Sequence, residues 1–152
     1  DGSGNVCYRP DNHQHMVETR KKKIENIQNY IPEVEVLKVP NGEAEMLLVG
    51  WGSTYGALRE ALGRLRESGY RIDMVHLQYL HPFPRNLGEI LEQYRDRPVV
   101  VAELNMGQLK SVLRSQFLVD VQGINKVQGR PFVSSEIVEG VENIMKVGAT
   151  SK

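Results

Sequence analysis

The sequence feature that most constrains the fold of this chain is a run of apolar residues that ends abruptly in a glycine-rich segment. Residues 46–56 read Met-Leu-Leu-Val-Gly-Trp-Gly-Ser-Thr-Tyr-Gly, and apolar side chains at helical spacing follow from Leu58 to Leu65. This order predicts a buried strand, a tight turn and a helix, the start of a parallel α/β unit. Glycine permits a sharp turn where a Cβ atom would clash. We expect Ser53 or Thr54 to cap the helix through its hydroxyl group.

Strands and helices alternate along the rest of the chain. Apolar runs predict core strands at residues 45–50, 71–77 and 98–103. Helical spacing predicts helices over residues 54–67 and in segments that begin near Asn86, Asn105 and Ser134. The Asn86 segment also has the spacing of a capping box with Glu89. Residues 116–121 fit either a fourth strand or a continuing helix, and residues 123–131 are interpreted as a loop. This alternation is typical of a three-layer α/β/α sandwich.

One further strand is predicted before the first core strand. Residues 33–39 alternate polar and apolar side chains, which indicates a half-exposed strand. The segment Pro-Asn-Gly-Glu at residues 40–43 is typical of a turn. If this turn is tight, the two strands that flank it pair in antiparallel fashion, with residues 33–39 at the edge of the sheet.

The sequence predicts one α/β domain with an extension on either side. Residues 1–32 are interpreted as a linker and a charged helix from a preceding domain, residues 33–147 as the α/β domain, and residues 148–152 as a tail. The helix is expected to begin at Met16, and its basic run at residues 20–23 to be a solvated face. Because the chain begins without methionine, we expect it to be a piece of a longer polypeptide.

The composition excludes several classes of function. Lysine plus arginine and aspartate plus glutamate number 19 each, so the net charge is zero. A general nucleic-acid or membrane-surface binder would carry a basic excess, so neither partner is expected. The single cysteine, Cys7, allows no internal disulfide and favours a reducing, cytoplasmic location. No apolar run approaches the length of about 20 residues that spans a bilayer.

The glycine turn does not match a nucleotide-binding fingerprint. Gly50, Gly52 and Gly56 are spaced one residue wider than the dinucleotide motif, and Asp73 lies near the start of its strand, where a ribose partner would not be. No Gly-Lys-Ser/Thr sequence follows, which excludes a P-loop. A tight turn is therefore the simplest interpretation. An anion site at the helix N-terminus, or a subunit contact, is the alternative.

The histidine and cysteine positions indicate no metal site. Cys7, His13 and His15 are too few ligands for a closed zinc site, which takes four. His76 lies within an apolar strand and is interpreted as a satisfied core or edge residue. His81 follows a strand and precedes a proline, which makes it a candidate contact residue.

The candidate interface or anion contacts share a position at or after the predicted carboxyl ends of strands. They are Gly52, Ser53, Thr54, His81, Glu103, Asn105, Gln108 and Lys126. We expect Glu103 to accept backbone N–H groups at a helix start or to contact a partner. For Lys126, a solvated loop lysine is the simpler interpretation and an anion contact the alternative. No residue is assigned as catalytic, because no nucleophile has a recognisable general base.

Four sequence motifs, taken together in their order along the chain, carry a specific resemblance to a known family. They lie at residues 48–56, 80–84, 103–109 and 125–132, and they read LVGWGSTYG, LHPFP, ELNMGQL and NKVQGRPF. Because of these motifs, the chain resembles the C-terminal domain of the alpha subunit of 2-oxoacid:ferredoxin oxidoreductases, most of all the 2-oxoglutarate type. The resemblance covers roughly residues 10–145. The charged lead-in at residues 12–20 is also similar to the segment that joins this domain to the preceding one.

The resemblance implies a fold like the transketolase C-terminal domain, a five-stranded, mostly parallel sheet with one antiparallel edge strand. It also implies the activity of a whole complex. Such enzymes oxidatively decarboxylate a 2-oxoacid with thiamine diphosphate, Mg²⁺ and coenzyme A, and they pass electrons through iron–sulfur clusters to ferredoxin. The implied partners are a beta subunit and the other domains of the alpha subunit.

The chain lacks the motifs that would carry this chemistry. It contains no cysteine cluster for iron–sulfur and no motif for thiamine diphosphate or magnesium. No cofactor is therefore expected within it, and the implied role is a non-catalytic assembly domain that is inactive alone. The alternative is an α/β module that binds a phosphate-bearing ligand such as coenzyme A or a nucleotide. A transketolase is a third possibility, against which the motif at residues 125–132 argues.

Overall fold

The structure, a computed structural model, describes residues 4–150, the last two of these by their backbone alone. The chain divides into two compact units. The first contains residues up to Glu33 together with Tyr79–Arg85, and the second contains Val34–Gln78 and the residues from Asn86 onward. Within the described residues, no helix combines the length and the apolar character that crossing a membrane requires.

The first unit is built around one long helix, α1 (Pro10–Ile27), which a 3₁₀ turn at Gln28–Tyr30 follows. The helix begins earlier than the predicted start at Met16. Pro10 stands in its first turn, where the missing N–H costs no hydrogen bond and φ is already helical. No residue of α1 is buried, and the basic run at residues 20–23 is exposed as expected.

The second unit contains a five-stranded sheet in the order β1-β3-β2-β4-β5. Its strands are β1 (Val36–Leu37), β2 (Met46–Trp51), β3 (Ile72–Leu77), β4 (Val99–Glu103) and β5 (Val121–Asn125). β1 runs antiparallel to β3, and the other neighbours are parallel. The sheet implied by the resemblance is therefore confirmed. Because β2 to β5 are parallel, their carboxyl ends lie at one edge of the sheet, called here the carboxyl edge.

The edge strand differs from its prediction in length and partner. Of residues 33–39, only the two in β1 form a paired strand, and they pair with residues 74–75 of β3. The predicted pairing with residues 45–50 is wrong, because β3 and β4 already occupy both sides of β2. The antiparallel direction and the position at the edge of the sheet are confirmed.

Helices cover both faces of the sheet: α2 (Tyr55–Glu67), α3 (Leu87–Glu92), α4 (Gln108–Phe117) and α5 (Ser134–Thr150). α2 and α5 pack on one face, over buried strand side chains that include Met46, Leu48, Ile72, Met74, Val100 and Ala102. Side chains alternate between the faces of a strand, so the intervening residues face α3 and α4. The three-layer α/β/α class is thereby confirmed.

A buried carboxylate on the α3 side of the sheet, that of Asp73, joins separate parts of the fold. It accepts the N–H of Val39 at 2.6 Å and the hydroxyl group of Tyr94, which follows α3. Burial and the neighbouring carboxylate raise the pKa of Tyr94. The carboxylate of Asp73 therefore has a structural role, in agreement with its unsuitable position for a ribose.

The predicted capping box before α3 is wrong. The side chain of Asn86 makes no bond to the helix that follows it. Its amide instead accepts the N–H of Val34 at 3.0 Å and donates to the carbonyl of Val34 at 2.8 Å. A distant backbone segment with both a donor and an acceptor satisfies the whole amide, whereas a cap would satisfy only its oxygen.

The segment between α4 and β5 combines the two alternatives that the sequence left open. The helix continues to Phe117, and Leu118, with φ of 54°, ends it in the left-handed region. Extended structure resumes only at Val121. The predicted loop at residues 123–131 is wrong for its first three residues, which belong to β5.

The C-terminal helix is longer than predicted. α5 continues to Thr150, where the sequence predicted a tail at residues 148–152, and the last two of these lie outside the described residues. In its first turn, the carboxylate of Glu136 accepts the N–H of Val133 at 3.0 Å.

Gly50 allows helix α2 to approach the end of β2. A Cβ atom at this position would lie 1.9 Å from Leu58 Cδ1 and 2.9 Å from Thr54 Oγ1. Both distances are below van der Waals contact, so any larger residue must displace the side chains of Leu58 and Thr54. The requirement for glycine here therefore comes from packing.

We expect Gly50→Ala to lower the free energy of unfolding by about 1–3 kcal/mol, because it overpacks a closed core. The matched control is Gly63→Ala on α2, where a Cβ atom meets nothing within 4 Å. That change should stabilise the helix by about 0.5–1 kcal/mol. Urea unfolding of the three proteins measures both effects, and equal stability of the Gly50→Ala variant and the parent would contradict the packing argument.

Candidate functional site

The turn after β2 is closed by a threonine. Gly52 has φ of 59°, which favours glycine, and it begins a 3₁₀ turn that ends at Thr54. The Thr54 hydroxyl donates to the Trp51 carbonyl at 2.8 Å and accepts the Trp51 N–H at 3.2 Å. The predicted cap of α2 by a hydroxyl group is therefore wrong, because no side chain caps that helix. Ser53, which lies between Gly52 and Thr54, is exposed at the carboxyl edge.

Glu103 ends β4 and holds the start of α4. Its side chain is 0% exposed, and its carboxylate accepts the N–H groups of Leu109 at 2.9 Å and Lys110 at 3.1 Å. A negative charge at a helix N-terminus is stabilised by the helix dipole and by these otherwise unpaired donors. The expected role at a helix start is confirmed. The alternative, a direct contact with a partner, is wrong for a side chain without exposed surface.

Asn105 completes the same turn. Its side-chain oxygen accepts the N–H groups of Gly107 at 2.8 Å and Gln108 at 3.0 Å, and Asn125 donates to its carbonyl at 3.1 Å. Together with the Glu103 carboxylate, these bonds satisfy the N–H groups of residues 107–110. The N-terminus of α4 therefore has its first donors already occupied, and an anion would meet a buried negative charge there.

Lys126 is not a solvated loop lysine, and that expectation is wrong. The residue is 7% exposed. Its ammonium group donates to both carboxylate oxygens of Glu136, at 2.8 and 2.6 Å, and to the carbonyl of Pro131 at 2.8 Å. This ion pair, hydrogen-bonded to the backbone, lowers the pKa of Glu136 and fastens the loop after β5 to the start of α5.

His81 belongs to the first unit, whereas the other candidate residues belong to the second. It is exposed in the loop Tyr79–Arg85, and its peptide bond to Pro82 is cis. Within this unit, the side-chain amide of Gln28 donates to the carbonyl of Phe83 at 2.8 Å and attaches the loop to the end of the helical segment.

Two exposed residues that the sequence analysis did not select lie at the carboxyl edge. Met106, in the loop before α4, is 80% exposed, and Tyr55, at the start of α2, is 48% exposed. With the exposed Ser53 and Gln108 they form a set called here the edge patch. A signal was available in the sequence: Met106 is a large apolar residue whose immediate neighbours, Asn105 and Gly107, are polar or glycine.

His76 lies beside the edge patch on the neighbouring strand. Its ring contacts Tyr55 edge to face, with the centroids 5.0 Å apart. Its Nε2 atom is buried and has no hydrogen-bond partner among the described residues. The expected position of His76 in a strand is confirmed, whereas the expectation that its ring is satisfied is wrong for this nitrogen. Burial lowers the pKa of His76 from 6.5, and a hydrogen bond to the backbone of Gly52 opposes the shift.

Comparison with known families identifies the domain. The model of the pyruvate:ferredoxin oxidoreductase core domain II matches residues 44–141. The chain belongs to this family. The matched residues run from just before β2 into α5, so they include the edge patch and the three buried charged side chains of Asp73, Glu103 and Lys126.

Relatives of this core domain II family confirm the resemblance to alpha subunits. The 2-oxoglutarate oxidoreductase subunit KorA of Mycobacterium tuberculosis is 51% identical over 138 residues, which cover 90% of this chain and 20% of that protein. Subunit alpha of 2-oxoacid:ferredoxin oxidoreductase 1 from Aeropyrum pernix is 37% identical, over 97% of this chain and 24% of that protein. The chain thus spans about a fifth to a quarter of the length of these relatives.

Solved structures show the same core domain II fold. The 2-oxoglutarate:ferredoxin oxidoreductase from Magnetococcus marinus, with 2-oxoglutarate, coenzyme A and succinyl-CoA bound, superposes with a TM-score of 0.74 at 29% identity. The match covers 92% of this chain and 24% of that chain. A split-gene transketolase superposes with a TM-score of 0.55 at 20% identity, over 73% of this chain and 40% of that chain, which shows the shared fold.

Replacing Glu103 by glutamine should destabilise the fold. The amide keeps one acceptor but removes the charge and turns a donor toward backbone N–H groups, which costs about 1–3 kcal/mol. Glu139→Gln, at an exposed position of α5, is the control and should change little. Chemical denaturation measures the difference, and similar midpoints for the two variants would show that the Glu103 charge does not hold α4.

His76 should make stability depend on pH. Its pKa is below 6.5 in the folded chain and returns to about 6.5 on unfolding, so acidification adds protons to the unfolded state first. The free energy of unfolding should therefore fall as the pH drops through 6.5 toward the folded pKa. His76→Gln should remove this part of the slope, whereas His15→Gln, exposed on α1, should retain it. Parallel slopes for all three proteins would refute the assignment.

Proposed function

We propose that this chain is a non-catalytic assembly domain of the alpha subunit of a thiamine-diphosphate-dependent 2-oxoacid:ferredoxin oxidoreductase. The whole complex would convert a 2-oxoacid, coenzyme A and oxidised ferredoxin into acyl-CoA, CO2 and reduced ferredoxin. Membership of the core domain II family supports this proposal. A 51% identical relative is a subunit of a 2-oxoglutarate oxidoreductase, and a structural neighbour is a 2-oxoglutarate:ferredoxin oxidoreductase, which favours 2-oxoglutarate as the substrate of that complex.

The observation that carries the assembly role is the use of the charged groups at the carboxyl edge. Glu103 holds the start of α4, and Lys126 is paired with Glu136. A general acid or base must reach a substrate, and a buried group committed to backbone donors does not. The exposed side chains of the edge patch carry no charge, which fits a protein contact better than proton transfer.

The cofactors are then proposed for the rest of the complex. Thiamine diphosphate, Mg²⁺, iron–sulfur clusters and coenzyme A would bind to other domains and to the beta subunit, and ferredoxin would dock there. Among the described residues, no group of three or more histidine, cysteine, aspartate or glutamate side chains is placed to hold a metal ion.

The phosphate-ligand alternative has less support. A helix N-terminus binds phosphate through free N–H groups. At α4 those of residues 107–110 already have acceptors within the chain, and one acceptor is a carboxylate. The ammonium group of Lys126, another candidate anion contact, is bound to Glu136. Neither the start of α4 nor Lys126 therefore offers an unused donor to a phosphate.

The proposal extends to the organisation of the polypeptide. Residues 1–32 would join this domain to a preceding domain of the same subunit, and the residues from 33 to the end of α5 would form the assembly domain. The relatives are four to five times as long as the part that this chain matches, which supports such a division. The single free cysteine supports a reducing, cytoplasmic location.

Ser53→Trp in the complete alpha subunit should weaken its association with the rest of the complex. The side chain is exposed at the carboxyl edge, so the indole obstructs a partner without entering the core. The matched control is Ser68→Trp, exposed at the other end of α2. Copurification of a tagged subunit measures association, and thermal unfolding measures the fold.

The expected result is reduced copurification for Ser53→Trp, with melting temperatures that match the parent for both variants. Equal recovery of partners by both variants would contradict a contact at this edge. A fall in melting temperature for Ser53→Trp alone, without loss of partners, would assign Ser53 to the fold.

A further inference from the structure

We propose that Asn41 is a site of spontaneous covalent modification, where the chain reacts with its own backbone and then with water to form aspartate and isoaspartate. The inference is independent of the proposed assembly function, because it rests on the turn between β1 and β2. Three observations carry it: the sequence of this turn, its exposure to water, and reacting groups that no other described residue binds.

The first observation is the dipeptide Asn41-Gly42, which occurs once in the chain. In the reaction, the backbone nitrogen of Gly42 must approach the side-chain carbonyl carbon of Asn41. A side chain on residue 42 would hinder this approach, and glycine has none. Every other asparagine of the chain is followed by a larger residue. The sequence therefore distinguishes Asn41 from all of them.

The second observation is the position of the turn. Residues 40–43 are exposed and lie outside the helices and strands, just before the amino end of β2. Gly42 has φ of 76°, a conformation that favours glycine. A Cβ atom built on Gly42 would have one neighbour within 4 Å, the Cδ atom of Arg71 at 3.9 Å. Water therefore reaches the turn, and the surroundings leave space for a ring to close.

The third observation concerns the reacting groups. Within the part of the chain that the structure describes, neither the Asn41 side chain nor the Gly42 N–H group has a hydrogen-bond partner. Asn86 and Asn105 differ, because the backbone binds the side chains of both. A bound amide must break its hydrogen bonds before it reacts, which adds to the barrier. No such cost applies at Asn41.

The first step closes a ring and releases ammonia. A base in solution removes the proton of the Gly42 nitrogen, which attacks the Cγ atom of Asn41. The new N–C bond closes a five-membered succinimide ring. The C–N bond of the side-chain amide breaks, and the leaving nitrogen takes up a proton and departs as ammonia.

The second step consumes water. A water molecule adds to one of the two ring carbonyl groups, and the bond between that carbonyl carbon and the Gly42 nitrogen breaks. Opening at Cγ gives aspartate, whereas opening at the backbone carbonyl gives isoaspartate. No atom is oxidised or reduced in either step, so water is the only co-reactant.

Both products change the charge and one of them changes the backbone. Each adds one negative charge to a chain whose net charge is zero. The charge arises near Arg71, which is already paired with Glu45 at 3.6 Å. Isoaspartate also inserts one extra atom into the backbone that joins β1 to β2. Only two residues of β1 pair with the sheet, so this connection belongs to its shortest strand.

The experiment incubates the complete alpha subunit at neutral and at mildly alkaline pH and follows every asparagine by peptide mass spectrometry. Electron-transfer fragmentation distinguishes isoaspartate from aspartate. Asn41 should react at least about tenfold faster than the exposed Asn29 and Asn143, equivalent to about 1.4 kcal/mol of activation free energy. The rate should rise with pH, because the attacking nitrogen must lose its proton.

Asn41→Gln is the matched variant, since its longer side chain would have to close a six-membered ring. Conversion at residue 41 should fall at least about tenfold, with the circular dichroism spectrum unchanged. A second measurement needs no variant: the parent in urea gives the rate for the unfolded chain. A similar rate in the folded subunit supports the inference, and a rate at least about tenfold slower would show that the turn protects Asn41 and would overturn it.

Two further outcomes also contradict the proposal. Equal conversion of Asn41 and Asn143 would show that the glycine and the free turn give no advantage. Aspartate without isoaspartate at residue 41 would show direct attack of water on the side chain, without a ring. Neither result bears on the assembly function, which copurification of the subunits tests separately.

Discussion

The buried carboxylate of Glu103 is the interaction on which the carboxyl edge depends. It joins the last residue of a central strand to the first turn of α4 through two backbone N–H groups. Removing it leaves helix donors unpaired in a dry environment, which is costlier than losing an exposed hydrogen bond. The same bonds position the turn that presents Met106. Stability and the shape of the candidate contact therefore have one physical origin.

The sequence predicted the sheet well because its signals are physical requirements. Residues 98–103 are apolar on both faces, as a central parallel strand covered by helices must be. Gly50 marks a close approach of a helix, and the fold leaves no space for a side chain there. Glu103 was predicted to meet a helix start because it follows a buried strand immediately before a helical pattern. In each case the requirement is local to a few consecutive residues.

Several predictions failed where polar groups had a choice of partner. Asn86 has the spacing of a cap, yet it binds the backbone of Val34, far away in the sequence. Lys126 turns inward to Glu136, ten residues further along the chain. Such choices depend on which segments the fold brings together, and local spacing does not contain that information. The pairing of β1 with β3 follows the same rule, since β2 was already occupied on both sides.

Residues that hold this fold and residues that face outward at the carboxyl edge are separate sets. Met106 stands between two fixed neighbours, yet its own side chain is exposed and closes no part of the core. The Met106 side chain can therefore be replaced while the scaffold stays intact. One architecture can serve enzymes with different neighbours, and a split-gene transketolase shares it at 20% identity. Divergence in such a domain should concentrate on a few side chains that rigid turns carry.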